Sequence, residues 1–200
     1  GQYTPPSLGG TIVYPGNFGT FNWGSVAVDP ARQVLFGMPT YLPFTSRLVP
    51  ASDIPPKGED EKASEQGLNR NDGAPYGVFM GPFLSALGVP CTAPPWGFVA
   101  GADLRGENTV YKHKNGTVRD MTPLPLKIKL GVPGIGGPMI TGGGLAFLGA
   151  AVDDYFRAYD LTTGDQLWEA RLPAGGQSTP MTYSADDKQY VVIVAGGHGS

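Results

Sequence analysis

Apolar and polar positions alternate most clearly between Leu145 and Gly176, in LAFLGAAVDDYFRAYDLTTGDQLWEARLPAGG. Three short apolar runs, Leu145–Gly149, Tyr155–Tyr159 and Gln166–Leu172, are separated by Gly- and Asp-containing turns. Runs this short, rich in aromatic residues and bounded by turn chemistry, predict antiparallel strands. Asp160 can accept backbone N–H bonds two residues on, and Gly164 can take the positive φ such a turn often needs. Trp168 follows where a large ring can lie against a neighbouring sheet. The residues Gly136–Thr141 supply a preceding strand and complete a four-stranded meander.

The same chemistry extends along the chain. Strands are predicted at Thr11–Tyr14, Trp23–Asp29, Gln33–Phe36, Gly97–Ala102, Thr109–Lys114, Ser178–Tyr183 and Tyr190–Ala195. Tyr41–Pro50 reads as extended, and Leu124–Leu130 alternates. Residues 51–73 carry charge and almost nothing apolar, which predicts a solvated surface loop. Residues 74–97 show no period. A sustained 3.6-residue period is absent, so little helix is expected. Asp103 precedes Tyr111 by the spacing that separates Asp160 from Trp168, and the two copies lie 57 residues apart. Gly136-Gly-Pro-Met-Ile-Thr141 is echoed by Ser178-Thr-Pro-Met-Thr-Tyr183. Repetition on this scale indicates stacked β units that cannot bury both faces alone. The predicted fold is therefore all-β, a partial β-propeller of four-stranded antiparallel blades. About two blades are complete, the first with a long insertion near 42–94.

Composition narrows the function classes. The 200 residues include 31 Gly and 20 Pro, yet 40% are hydrophobic, with nine Phe, nine Tyr and three Trp, so a core can form. Net charge is −3 with no basic patch, which gives nucleic-acid binding no electrostatic support. No apolar run approaches the ~20 residues that span a bilayer. The one cysteine, Cys91, has no internal partner, and zinc-ligand spacings are absent. The chain opens on Gly1 rather than Met and stops just after a strand, which reads as a piece of a longer protein.

Several ordered strings carry a family resemblance. AYDLTTGDQLW resembles the tryptophan-docking repeat of quinoprotein propellers. GGPMITGGGLAFLGAAVDDYFRAYD, RLPAGGQSTPMTY and KQYVVIVAGGHGS resemble the C-terminal part of the membrane-bound PQQ-dependent dehydrogenases of the glucose/quinate/shikimate family. PGNFGTFNWGSVAVDP and the Pro-aromatic pattern up to PPWG resemble the same proteins upstream. Only the charged loop at 51–73 falls outside the likeness. The resemblance implies that residues 1–200 are a C-terminal fragment of an eight-bladed propeller carrying PQQ and a divalent cation, Ca or Mg. It implies oxidation of a sugar or cyclic polyol (glucose, quinate or shikimate) on the periplasmic side of the bacterial inner membrane, with electrons passing to ubiquinone. The membrane anchor, the general-base Asp and the cofactor-binding Lys of the family would precede residue 1, so no catalytic base is assigned here and the fragment alone is expected to be inactive.

Three residues are carried over as site candidates. Asn22, in FNWGS, reads by itself as a turn amide bonding its own backbone; the resemblance gives it a place at the cofactor's quinone region, where an amide can donate to oxygen. His198, flanked by Gly196, Gly197 and Gly199, reads alone as a surface-turn histidine; the resemblance puts it beside substrate and cofactor. Asp153 reads alone as a turn residue, and the resemblance places it near the cofactor. Asp154 must point to the opposite face if the pair lies on a strand. Trp23 and Cys91 read as packing, Asp165 as structural, and His113 as exposed and inert. Asn115-Gly-Thr117 matches a glycosylation triplet by chance alone as readily as by purpose. A cyclic-acid substrate would favour a cationic partner, for which Arg47, Arg119 and Arg157 are available. The competing reading is a non-enzymatic propeller scaffold, against which FNW and GGHGS speak. Open blade edges predict self-association of the fragment, which a monodisperse monomer in light scattering would refute.

Overall fold

The computed structural model describes residues 1, 3–56, 67–121 and 125–197. In chain order the strands begin with β1 (Thr11–Val13), β2 (Val26–Asp29), β3 (Val34–Gly37) and β4 (Phe44–Pro50). They continue with β5 (Gly67–Asn69), β6 (Tyr76–Pro82), β7 (Phe98–Asp103), β8 (Asn108–Lys114) and β9 (Met139–Ile140). The last are β10 (Leu145–Leu148), β11 (Tyr155–Asp160), β12 (Gln166–Arg171), β13 (Met181–Ala185) and β14 (Lys188–Val192). Helix among the described residues is limited to two 3-10 turns, Ala51–Asp53 and Val118–Asp120.

The chain divides into two compact units. One comprises Gly1–Asn17 and Leu42–Thr92 and holds the sheet β1-β4-β6-β5. The insertion expected near 42–94 is thus folded. β6 formed where no period was visible because Gly77, Gly81 and Pro82 interrupt the alternation, yet Tyr76–Pro82 pairs with β4 along its whole length. β5 lies in the stretch expected to be a charged loop, with Leu68 opposite Phe79 of β6. Residues 57–66 of that stretch lie outside the described residues.

The other unit, Phe18–Tyr41 with Ala93–Gly199, contains two four-stranded antiparallel sheets, β2-β3-β7-β8 and β9-β10-β11-β12, and the hairpin β13-β14. The meander read from Leu145–Gly176 is therefore present as predicted. The alternating stretch before it behaves otherwise. Its described part, 125–130, forms no strand, because Ile128 N donates to Leu126 O and Leu130 N to Ile128 O. Such two-residue bonds are γ-turns, which use within the segment the donors a ladder would need.

The internal repeat is a repeat of structure. β7 and β11 have the same length at the 57-residue offset, and both ladders shift register at the matching step, Gly101/Ala102 and Ala158/Tyr159. Asp103 Oδ1 accepts the Arg105 N–H at 2.9 Å, and Asp160 Oδ1 accepts those of Thr162 and Thr163 at 2.7 and 3.0 Å. The two aromatic residues part ways. Tyr111 is buried, and its hydroxyl donates to Leu161 O at 2.9 Å, docking β8 onto the turn of the next sheet. Trp168 is 49% exposed and meets Phe156 of its own sheet edge-on, not a neighbouring one. Trp23, expected to pack, is 61% exposed. His113, expected to be inert, stacks on Tyr111 and donates from Nε2 to Thr163 O at 2.9 Å, so it belongs to the same docking contact.

The core lies where these sheets face one another. Phe36 of β3 and Tyr159 of β11 are fully buried, with ring centroids 5.8 Å apart; such a pair contributes about 1 kcal/mol beyond its area. Between the sheets the backbones nearly touch. A Cβ on Gly97 would sit 1.9 Å from Val132 O, and one on Gly134 1.9 Å from Ala150 O.

Gly164 carries the docking turn. Its φ is +75°, and an added Cβ would lie 2.3 Å from the Tyr111 ring. Gly164→Ala combines left-handed strain with overpacking, and we expect it to cost about 2 kcal/mol or more. A lowered urea midpoint for the purified protein would be the readout; an unchanged midpoint would contradict the docking contact.

Candidate functional site

Asn22 sits in the loop before β2. Its Oδ1 accepts the Trp23 N–H at 2.7 Å, and Nδ2 donates to Phe18 O at 3.3 Å. Its own carbonyl accepts from Ser25 N. The side chain is half-buried and holds the turn, leaving one of its two amide N–H groups for an outside acceptor.

Asp153 is in a different situation. It precedes β11 and is fully buried. Oδ1 accepts from Arg157 Nη1 at 2.8 Å, and Oδ2 accepts from Arg157 Nη2 at 2.5 Å. Thr117 adds its backbone N–H at 2.7 Å and its hydroxyl at 3.0 Å, both to Oδ2. Four donors hold the carboxylate, one on Oδ1 and three on Oδ2, in an internal ion pair with Arg157. Asp153 and Asp154 lie in the bend before β11 rather than on a strand, and Asp154 Oδ2 lies 3.5 Å from Arg171 Nη2. Asp165 is structural: it accepts from the Thr163 hydroxyl at 2.8 Å within the docking turn. His198 lies outside the described residues.

The neighbourhood of Arg157 was not foreseen as a site. The signal for it was an arginine inside an apolar strand, in YFRAY: a charge on a buried strand requires a partner. Asp153 is that partner, and Glu169 Oε2 approaches Arg157 Nε at 3.5 Å. Lys127 pairs closely with Glu169 and also lies over the Tyr155 ring at 4.6 Å. Burial works to raise the Glu169 carboxyl, but Lys127, Arg157 and Gln166 outweigh it and hold it below its ordinary value. Arg119 donates to the Tyr155 hydroxyl at 2.7 Å, and Arg171 makes a fork to Asp120 at 2.6 and 3.1 Å. Nearby, Asn115 is 1% exposed, donating to Met38 S and accepting from the Tyr159 hydroxyl. Its glycosylation triplet is thus closed to modification. Among the described residues no group of three His, Cys, Asp or Glu side chains could hold a metal.

Two outcomes follow from these ion pairs. Asp153→Ala leaves a buried guanidinium uncompensated and should cost about 3–5 kcal/mol, while Asp153→Ala with Arg157→Met should recover most of it. Urea unfolding of the wild type, both single variants and the double variant checks this, and additive losses would contradict it. The Asp120 carboxyl is held below its ordinary 3.8 by the hydrogen bond from Arg171. Its contribution to stability is therefore complete above pH 3.8 and is lost as pH falls through the lower folded-state value. Acid unfolding curves of Asp120→Asn should lack that part of the slope; an identical acid limb would refute the assignment.

Comparison with known proteins agrees with this architecture. Residues 1–191 match the PQQ family described as glucose/ethanol/alcohol dehydrogenase, beta-propeller domain. The chain is 53% identical over its whole length to quinoprotein glucose dehydrogenase A of Acinetobacter calcoaceticus and 46% to quinoprotein glucose dehydrogenase of Escherichia coli K12, covering 25% and 26% of them. It is 38% identical, over 98% of its length, to quinate/shikimate dehydrogenase (quinone) of Acinetobacter baylyi, covering 26% of it. The chain thus spans about a quarter of the length of the curated relatives it matches. Among solved structures, quinohemoprotein alcohol dehydrogenase from Comamonas testosteroni superposes with a TM-score of 0.61 at 22% identity, over 94% of this chain and 24% of that one, which speaks to the fold alone. The four-stranded antiparallel sheets, their repeat and the sequence match together place this chain in the PQQ-dependent dehydrogenase β-propeller family.

Proposed function

We propose that this chain is part of a PQQ-dependent quinoprotein dehydrogenase that oxidises a sugar, with glucose favoured over quinate or shikimate, and passes electrons to a membrane quinone such as ubiquinone. The observation that carries the reading is the 46–53% identity over the whole chain to glucose dehydrogenases, against 38% to the quinate/shikimate enzyme. The scaffold reading loses its ground with the family match.

Bound PQQ supplies a two-electron acceptor for hydride from the substrate carbon. The open N–H of Asn22 fits a donor to a quinone oxygen, which it would hold and polarise. His198 would hydrogen-bond a substrate hydroxyl through its imidazole. The general base and the ligands of a divalent cation, Ca or Mg, belong in this reading to chain preceding residue 1, as does a membrane anchor. No helix among the described residues is long and apolar enough to cross a membrane. The catalytic propeller would face the periplasm from the bacterial inner membrane.

The full-length polypeptide, reconstituted with PQQ and Ca or Mg, should reduce a quinone-type dye with glucose at kcat/KM at least tenfold above that with quinate. Asn22→Ala should lower kcat by about 100–1,000-fold, the effect of losing one positioned hydrogen-bond donor. Reduction with quinate alone would reverse the substrate preference; no reduction with any sugar or polyol would end the proposal.

A further inference from the structure

A cavity of about 350 Å³ opens between the connection that precedes β9 and the outer part of the β9-β12 sheet. Thr117, Lys127, Lys129, Arg157, Gln166 and Glu169 line it. Lys127 and Lys129 both line it, from the γ-turned segment that precedes β9. Three cations meet here. Arg157 is matched by Asp153 and Lys127 by Glu169. Lys129 has no carboxylate at ion-pair distance among the described residues; its Nζ donates only to the neutral Gln166 Oε1, at 3.3 Å. The cavity therefore carries one positive charge in excess.

We propose that this cavity binds a small oxyanion, a phosphate or a carboxylate, between the ammonium groups of Lys127 and Lys129 over the Arg157 guanidinium. Each ammonium has three donors, and each gives one to the protein. Donors thus remain on both lysines for the oxygens of one anion. The Glu169 carboxylate does not block the place, because both of its oxygens already accept, Oε1 from Lys127 and Oε2 from Gln166 and Arg157. Burial, with Arg157 beside it, holds Lys129 below the ordinary lysine value, a penalty that a bound anion relieves. The anion would join residues 127–129 to β12. It would stabilise the folded protein in proportion to its occupancy. The site is independent of the PQQ reading, since neither cofactor nor catalysis enters it.

The test is calorimetric titration of the purified full-length protein with inorganic phosphate and, separately, succinate, at an ionic strength fixed with sodium chloride. Saturable one-site binding of either anion is expected, and the one that binds names the ligand class. Lys129→Met should weaken it at least tenfold, and Lys129→Arg should restore it. Binding of neither anion above the chloride background, or equal affinity in Lys129→Met, would overturn the proposal.

Discussion

A guanidinium at 2% exposure on β11 is the constraint around which the larger unit is arranged. Desolvating an arginine costs several kcal/mol, and only a well-made set of partners offsets it. Asp153 takes the fork, and Thr117 adds two donors to Oδ2 of the same carboxylate. Because Thr117 belongs to the stretch that leaves β8, the pair joins two consecutive sheets through one buried carboxylate. Asn115, two residues earlier, is held by Tyr159 of β11 and by Met38 after β3. On the outer side, the hydroxyl of Tyr111 and the ring of His113 settle on the turn that Asp160 caps. Polar contacts thus set the spacing of sheets whose apolar faces, Phe36 against Tyr159 among them, provide the burial.

What the sequence discloses follows physical lines. LAFLG, YFRAY and QLWEARL are short, aromatic and flanked by Asp and Gly, so strand and turn signals agree, and β10 to β12 fall where they were read. The recurrence at 57 residues held down to the step at which each ladder shifts register. β6 was hidden because its glycines and proline carry no apolar period, and only pairing with β4 discloses it. Leu124–Leu130 alternates too, yet its described part forms no strand, because the N–H groups of Ile128 and Leu130 bond carbonyls two residues back. The repeat of Tyr111 and Trp168 is unequal as structure, since Tyr111 docks on the turn of the following sheet and Trp168 stays half exposed.

At the level of chemistry, a family likeness and a geometry answer different questions. Asp153 draws attention through its neighbours in the string, and inside the protein it accepts four hydrogen bonds, three of them on Oδ2. Asn22 makes one donated and one accepted side-chain bond and keeps an N–H to give. That distinction, between a carboxylate paired within the fold and an amide left half-open, is invisible in residue types and explicit in hydrogen bonds.

The central claim is that this chain helps build a PQQ pocket. An absorbance titration of PQQ into the full-length polypeptide, with Ca or Mg present, tests it most directly. The account predicts a saturable spectral shift at one PQQ per polypeptide, weakened by Asn22→Ala. A spectrum that simply adds free PQQ to protein at every ratio would contradict it.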